Sequence, residues 1–127
     1  MKIEMTMQEV FDVVAAHLLA QGQRSTIRLG EDDTLSCAYQ TPDGLKCAIG
    51  CLIPEYKYSK DFEGVNVRGL ADEDQGGQVI PRVTDSDDEF SFLLSLQRIH
   101  DAVDPKDWQN YLEEFALDND LTTEAIT

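Results

Sequence analysis

The stretch CAYQTPDGLKCAIGCLIPEYKY, residues 37–58, holds all three cysteines of the chain around one turn signal, Pro42-Asp43-Gly44. Proline presets the backbone angle of a turn, and glycine adopts the left-handed conformation that other residues resist. We therefore expect a short hairpin turn with Gly44 in the left-handed conformation. Such a turn would fold Cys37 back towards the other two cysteines.

On both sides of this turn the pattern of apolar residues predicts small elements. Polar and apolar side chains alternate over residues 25–29 and, less regularly, over residues 35–39, with a polar turn at residues 30–33. Such alternation is typical of half-buried strands. The apolar run of residues 46–53 ends at Pro54 and predicts a short helix with Cys47 and Cys51 on one face. We expect a small antiparallel sheet followed by a short cysteine-containing helix.

An amino-terminal helix is predicted over residues 6–21. Thr6 and Glu9 form the sequence pattern of a capping box, and Gly22 follows as a stop signal. Apolar residues recur at helical spacing between them: Val10, Val13, Val14, Leu18 and Leu19. His17 lies on or beside this stripe, so we interpret it as a partly buried packing residue bonded through one ring nitrogen.

Two helices are predicted at the carboxyl end, both packed on the sheet. Ser86 and Glu89 form a second capping-box pattern, and Asp104-Pro105 is a start signal for the last helix. The first helix has an apolar face of Phe90, Leu93, Leu94, Leu96, Ile99 and Val103; in the second, Trp108, Tyr111, Leu112, Phe115 and Ala116 are expected to point inward. Between the sheet and these helices, we expect a short helical piece at residues 66–71 and a glycine-rich loop.

The length and composition fit one soluble domain of the α+β class spanning residues 1–127. No apolar run approaches the eighteen residues of a membrane span, and the opening MKIEMTMQEVFD carries acids where a signal peptide carries basic residues. We expect a cytoplasmic protein whose cysteines are free thiols.

Charge excludes further classes of function. The chain has 10 basic and 25 acidic residues, for a formal net charge of −15. Such a charge repels nucleic acid and anionic membranes, so neither is an expected partner. Residues 69–127 hold fifteen of the acids against three basic residues, whereas residues 24–68 are nearly neutral. The pattern therefore indicates two surfaces of different character.

Reactive side chains do not form an enzyme signature. A zinc site of Cys37, Cys47 and Cys51 with His17 or His100 is the strongest metal candidate, but the paired knuckles of structural zinc sites are missing. His100-Asp101 could support acid–base chemistry, yet a histidine at a helix end is explained more simply by the helix dipole. We expect no cofactor, no metal and no catalytic residues.

A resemblance covers most of the chain. The opening helix MQEVFDVVAAHLLAQG, then KCAIGCLIP followed by tyrosines, then LQRIHDAVDPKDW resemble, in order and character, small uncharacterised proteins of tailed phages and prophages. The acidic segment between Gly69 and Glu89 has no counterpart in that resemblance. What it implies is a phage accessory protein of the host-takeover or counter-defence kind, and it brings no catalytic residues.

Two binding hypotheses follow from the charge layout. In the first, the acids of residues 69–127 imitate nucleic acid phosphates and occupy a basic surface of a host protein. Its principal residues would be Asp72, Glu73, Asp74, Asp85, Asp87, Asp88 and Glu89, joined by acids of the last helix such as Glu113, Glu114, Asp118 and Asp120. In the alternative, the protein sequesters a nucleotide immune signal through Arg24, Arg28, Lys46 and Arg68 for phosphates and Tyr39 and Tyr56 for stacking.

Overall fold

A computed structural model of the chain describes residues 4–29, 34–41, 44–53, 58–59, 80–86 and 88–126. Its strands are β1 (Glu4–Met5), β2 (Thr26–Leu29), β3 (Thr34–Cys37) and β4 (Arg82–Val83), and its α-helices are α1 (Met7–Gln21), α2 (Glu89–Ala102) and α3 (Trp108–Asp118). Short 3-10 turns occupy Gly50–Leu52, Pro105–Asp107 and Glu124–Ile126. The described residues confirm a mixture of three helices with small two-stranded sheets. The expected helical piece at residues 66–71 lies outside them.

Helix α1 begins and ends where the sequence predicts. Thr6 accepts from the backbone N–H of Glu9, and the Glu9 carboxylate accepts from the N–H of Thr6, so the capping box is complete. Gly22 has a φ of 68° and donates its N–H to the carbonyl of Leu18, which ends the helix in the left-handed conformation. One prediction is wrong: Val13 is 42% exposed, because the buried stripe runs along Val10, Phe11, Val14, Ala15 and Leu18.

The central hairpin is antiparallel, as predicted. Strands β2 and β3 pair in register from Thr26 opposite Cys37 to Leu29 opposite Thr34. The predicted tight turn follows: Gly44 has a φ of 91° and donates to the carbonyl of Thr41, and Gln40 pairs with Lys46 in an antiparallel bridge. The sequence thus predicted the turn at Gly44 correctly, whereas the predicted turn at residues 30–33 and the residues Pro42 and Asp43 lie outside the described residues.

A second two-stranded sheet was not predicted, and it is parallel. Glu4 and Met5 of β1 pair with Arg82 and Val83 of β4, and Thr84 then donates its N–H to the carbonyl of Met5. This ladder fixes the segment before α2 against the start of α1. Strands of two residues are too short to show an alternation of polar and apolar residues, and parallel pairing joins segments that are distant in sequence. No local pattern therefore predicts these strands.

The cysteine segment forms a tighter structure than the predicted helix. Cys51 donates its N–H to the carbonyl of Cys47, and the 3-10 turn Gly50–Leu52 follows at once. Gly50 is buried, and a Cβ atom there would overlap the carbonyl oxygen of Tyr39. Because the hairpin backbone packs this closely on the turn, only glycine fits at position 50.

The N-cap of helix α2 lies two residues after the predicted one. Asp88, rather than Ser86, is the N-cap, and its carboxylate accepts from the N–H of Ser91. Aspartate caps a helix as well as serine does, and Asp88 lies directly before the first helical residue. The prediction that Leu94 faces the core is also wrong, since Leu94 is 50% exposed.

Helix α3 follows the predicted start signal through one 3-10 turn. Asp104 caps Pro105–Asp107 by accepting from the N–H of Lys106, and α3 begins directly after it. Trp108 is fully buried as predicted, whereas Tyr111 is 49% exposed and its predicted inward position is wrong. Position 111 is one residue before the buried Leu112 on the helix, which turns its side chain away from the core.

The helices pack mainly on one another rather than on the sheet, which corrects the predicted arrangement. Helices α2 and α3 both contact α1 and each other, and the 3-10 turns Gly50–Leu52 and Glu124–Ile126 also pack on α1. Phe115 of α3 packs on both other helices: its ring centroid lies 6.0 Å from that of Phe11 in α1 and 5.3 Å from that of Phe92 in α2. Searched over its described residues, the chain has no helix long and apolar enough to cross a membrane.

Candidate functional site

A cleft of about 340 Å³ lies where the start of α1, the start of α2 and the end of α3 meet. Its walls combine apolar side chains with hydroxyl, amide and carboxylate groups. It is lined by Met7, Asp85, Ser86, Asp88, Ser91, Phe92, Ser95, Phe115 and Asn119. Two of these residues, Asp85 and Asp88, belong to the predicted partner-binding set.

Both carboxylates of the cleft, those of Asp85 and Asp88, also accept a hydrogen bond from a backbone N–H group in the first turn of a helix. Oδ1 of Asp85 accepts from the N–H of Met7 at 2.7 Å, which satisfies the first helical N–H of α1. Oδ1 of Asp88 accepts from the N–H of Ser91 at 3.1 Å as the N-cap of α2. Each carboxylate therefore uses one oxygen for the fold, and neither Oδ2 atom bonds to any residue that the structure describes.

The hydroxyl and amide groups of the cleft donate hydrogen bonds to helix carbonyls. Ser95 donates its hydroxyl to the carbonyl of Ser91 at 2.8 Å, and the Asn119 side chain donates to the carbonyl of Phe115 at 2.8 Å. The Ser95 hydroxyl and the Asn119 amide thus each donate one hydrogen bond to a helix carbonyl, and the oxygen of each still has lone pairs that can accept. The cleft is rich in hydrogen-bond acceptors as well as negative.

A group of acids at the end of α3 adjoins this cleft. The α3-end acids, Glu114, Asp118 and Asp120, are all exposed, and Asn119 of the cleft lies between the last two in sequence. Asp120 has a φ of 57° and occupies the left-handed position of a Schellman motif, with Leu121 donating to the carbonyl of Ala116 and Asp120 to that of Leu117. The last turn of α3 contains no basic residue.

The structure places only part of the predicted partner-binding set. Asp72, Glu73, Asp74 and Asp87 lie outside the described residues. Glu89 is the first residue of α2, and only its backbone is described. Asp85 and Asp88 are brought together at one cleft, and partner binding by these two residues, as by the rest of the set, stays a prediction.

The described residues that were predicted for the nucleotide alternative, Arg24, Tyr39 and Lys46, do not line this cleft. Arg24 donates Nε to the carbonyl of His100 at 3.1 Å and Nη2 to that of Val103 at 2.9 Å, so its guanidinium closes the end of α2. Tyr39 and Lys46 are half-buried in the hairpin, where the Lys46 backbone bonds to Gln21 and His17. Tyr56, Arg68 and the side chain of Arg28 are outside what the structure describes.

The two histidines serve the fold. His17 bonds through Nε2 to the carbonyl of Lys46 at 2.9 Å, as expected for a partly buried packing residue. His100 is fully buried: its Nε2 accepts the N–H of Ser25 at 2.9 Å, and its Nδ1 donates to Asp101 at 2.8 Å. His100 lies in the last turn of α2, and both of its ring nitrogens bond within the fold; the helix-dipole interpretation stays a prediction.

Of the two cysteines whose side chains the structure describes, Cys47 is buried and Cys51 is half-buried. Burial raises the pKa of the Cys47 thiol from 9.0 to about 12, and burial with the neighbouring Cys47 raises the pKa of Cys51 to about 12. Both are free cysteines, and Cys51 donates its thiol proton to the carbonyl of Ala48. Among the described side chains, which do not include that of Cys37, no three potential ligands cluster as a metal site would require.

Sequence reasoning missed the polar cleft residues Ser91, Ser95 and Asn119. Asp88, Ser91 and Ser95 are spaced three and four residues apart, so a helix over this segment places them on one face. That spacing was a usable signal. Asn119 and Met7 reach the cleft only through packing between helices, which no local pattern reveals.

The comparisons with protein-family models, with curated proteins and with solved structures found no match to this chain.

Proposed function

We propose that this protein is a non-catalytic binding protein whose acidic face, formed by the cleft and the α3-end acids, covers a basic surface of a host protein. The observation that carries the proposal is the placement of Asp118 and Asp120. These carboxylates stand at the carboxyl end of a helix, and Asp120 adopts a left-handed conformation. Folding alone favours neither carboxylates at the carboxyl end of a helix nor an aspartate in the left-handed conformation.

The physical cost of this placement has three sources. Carboxylates at the carboxyl end of a helix oppose the helix dipole by about 0.3–1 kcal/mol each. Glu114 and Asp118 are four residues apart, where like charges repel by about 0.2–0.5 kcal/mol. Glycine is the residue that the left-handed position of Asp120 favours most. Residues that break local stability rules without a folding benefit are candidates for function.

Several other acids do not support the proposal equally, because the fold uses them. Asp88 and Asp104 are N-caps, Asp85 satisfies the first amide of α1, and Asp101 accepts from His100 and Gln97. By contrast, no lysine or arginine that the structure describes forms an ion pair with Glu114, Asp118 or Asp120. The α3-end acids therefore keep their charge available for a partner.

The charge balance around this end favours a basic partner. Residues 88–126 contain ten acids and two basic residues, Arg98 and Lys106. Such a surface attracts a basic protein face over the screening distance of about 8–10 Å at physiological ionic strength, and it repels nucleic acid itself. An acidic face of this kind supports the nucleic-acid-mimic hypothesis.

The host context of the proposal comes from the sequence resemblance to phage and prophage accessory proteins. A protein of that kind would act inside the infected bacterial cell, against a defence protein or another host component with a nucleic-acid-binding surface. The alternative, sequestration of a nucleotide signal, loses support because the Arg24 guanidinium already donates hydrogen bonds to the carbonyls of His100 and Val103 at the end of α2.

The test is capture of a partner from bacterial lysate, followed by reconstitution of the complex from the two purified proteins. The test variant replaces the α3-end acids by amides, as Glu114→Gln, Asp118→Asn and Asp120→Asn. These substitutions keep size and hydrogen-bonding groups, and asparagine tolerates the left-handed conformation at position 120. We expect the reconstituted complex to form with the unaltered protein and to weaken at least about tenfold with the variant.

A matched control removes three charges elsewhere: Glu4→Gln, Asp12→Asn and Asp104→Asn. The asparagine introduced at position 104 can still cap its turn, and the one introduced at position 12 can still accept from Gln8. The control should bind like the unaltered protein. Equal weakening in both variants would show that only total charge matters, and no loss in the test variant would refute the assigned surface.

A further inference from the structure

We infer that the cleft between α1, α2 and the end of α3 receives an arginine side chain of the partner. This inference rests on the proposed function, which it deepens by naming the chemical group that anchors the complex. Four properties of the cleft carry it: size, negative charge, an excess of hydrogen-bond acceptors and an apolar wall.

The size of the cleft favours a small occupant. Its volume of about 340 Å³ is near the lower end of the range of roughly 300–1,000 Å³ for small-molecule sites. Such a space holds one long side chain better than a dinucleotide or a helix.

The charge of the cleft selects a cation. Asp85 and Asp88 both line it, and no lysine or arginine is among the lining residues that the structure describes. Each carboxylate keeps one oxygen beyond the helix-start amide that it already bonds. An anion would meet both carboxylates, whereas a cation would gain charge-assisted hydrogen bonds.

The hydrogen-bonding groups distinguish arginine from other cations. Ser95 and Asn119 have each donated to a helix carbonyl and retain acceptor lone pairs. Together with Oδ2 of Asp85 and of Asp88, the residues that line the cleft carry several acceptors. A guanidinium carries five N–H donors in a planar fork and no acceptor, so it can satisfy several separated acceptors at once. A lysine ammonium is a compact point charge with three donors.

The apolar wall accommodates the stem of the side chain. Met7 and Phe115 are half-buried, and the nearly buried Phe92 packs against Phe115 with a centroid distance of 5.3 Å. Arginine packs its methylene groups on apolar surface while its charged head stays at a polar edge. A hydrated metal ion would leave this wall uncovered.

The experiment titrates N-acetyl-L-arginine amide into the ¹⁵N-labelled full chain and follows backbone amide shifts by NMR. We expect saturable shifts at Ser91, Ser95 and Asn119, with a dissociation constant on the order of millimolar for one isolated side chain. N-acetyl-citrulline amide, which has nearly the same shape without the charge, should bind at least about tenfold more weakly. N-acetyl-lysine amide should also be weaker than the arginine compound.

Variants locate the site. Asp85→Asn with Asp88→Asn removes both charges and keeps both helix-start acceptors, so the fold should persist. It should weaken arginine amide binding about tenfold or more. The matched control is Asp104→Asn, at another N-cap acid that does not line the cleft, and it should bind normally.

Other outcomes overturn the inference, even without a variant. Shifts confined to residues outside the cleft, equal binding of citrulline amide, or lysine amide binding as tightly as arginine amide would each reject an arginine site. Tighter binding of calcium ions at the same amides would assign the cleft to a metal instead. Because no partner protein takes part, failure of this titration leaves the proposed function standing, and failure of partner capture leaves the titration interpretable.

Discussion

Ser25 donates its backbone N–H to Nε2 of His100 at 2.9 Å, and so joins the start of the hairpin to the last turn of α2 across 75 positions of sequence. The other ring nitrogen of His100 bonds to Asp101, and the ring stacks on Trp108 with a centroid distance of 5.8 Å. Arg24 closes the same helix end by donating to two of its carbonyls. The hairpin and the carboxyl-terminal helices are thus held together by a polar network centred on the buried His100.

Replacing His100 by phenylalanine tests this network. The new ring can still stack on Trp108, but it cannot accept from Ser25, whose buried N–H would lose its partner. We expect a loss of about 1–3 kcal/mol in the free energy of unfolding by urea. His17→Phe is the control and should cost less, because Gln21 also donates to the carbonyl that His17 contacts. Equal losses would contradict the special role of the buried ring.

Trp108 is the largest fully buried side chain, and its indole N–H donates to the carbonyl of Val103 at 3.0 Å. Trp108→Ala should therefore cost about 3–5 kcal/mol, measured by urea denaturation. Tryptophan emission of the native protein should be blue-shifted and should move to longer wavelength on unfolding. Tyr111→Ala, at a half-exposed position of the same helix, should cost less than about 1 kcal/mol. A water-exposed emission spectrum in the native state would contradict this placement.

The buried thiols predict a loss of stability at alkaline pH. The pKa of Cys47 and of Cys51 is 9.0 when exposed and about 12 in the folded protein, so above pH 9 the unfolded chain releases protons that the folded chain retains. Their stabilisation is complete below pH 9 and is lost as the pH rises towards 12. We expect a decline of about 1 kcal/mol per thiol for each pH unit in that range, measured by urea unfolding.

A Cys47→Ala, Cys51→Ala variant controls for other groups that titrate in this range. It should show a shallower decline than the unaltered protein between pH 9 and 11. Identical slopes would mean that the thiols ionise as readily in the folded protein as in the unfolded chain.

Local signals in the sequence predicted α1, the antiparallel hairpin, the turn at Gly44 and the buried Trp108, because each depends on residues within one element. The pairing of β1 with β4 and the bond from Met7 to Asp85 join residues 78 positions apart. Such contacts depend on how the helices pack, so they could not be predicted from local sequence patterns.

The candidate site was predictable to the same extent. The excess of acids near α2 and α3 is visible in the sequence, and it led to Asp85 and Asp88. Sequence reasoning could not separate acids that cap helices from acids that do not, because the N-cap of α2 is Asp88 rather than Ser86. It also could not foresee that Asp120 takes the left-handed position of a helix end.

Asp120→Gly should make the protein more stable. Glycine occupies the left-handed position without steric cost, and the change removes a carboxylate that opposes the helix dipole. We expect a gain of about 0.5–1 kcal/mol in the free energy of unfolding, partly offset by the greater freedom of glycine in the unfolded chain. The same variant should bind the partner more weakly. A loss of stability would contradict the view that Asp120 is kept at a cost to the fold.

The salt dependence of partner affinity tests the central claim most directly. With the reconstituted complex, the dissociation constant should rise steeply between 50 and 300 mM salt, since exposed charges are screened within about 10 Å at 0.1 M. The variant with amides in place of Glu114, Asp118 and Asp120 should bind more weakly at low salt and show a shallower dependence, so that the two curves converge as salt increases. An affinity that does not change with salt, or a variant curve that runs parallel to that of the unaltered protein, would contradict an acidic binding face at the end of α3.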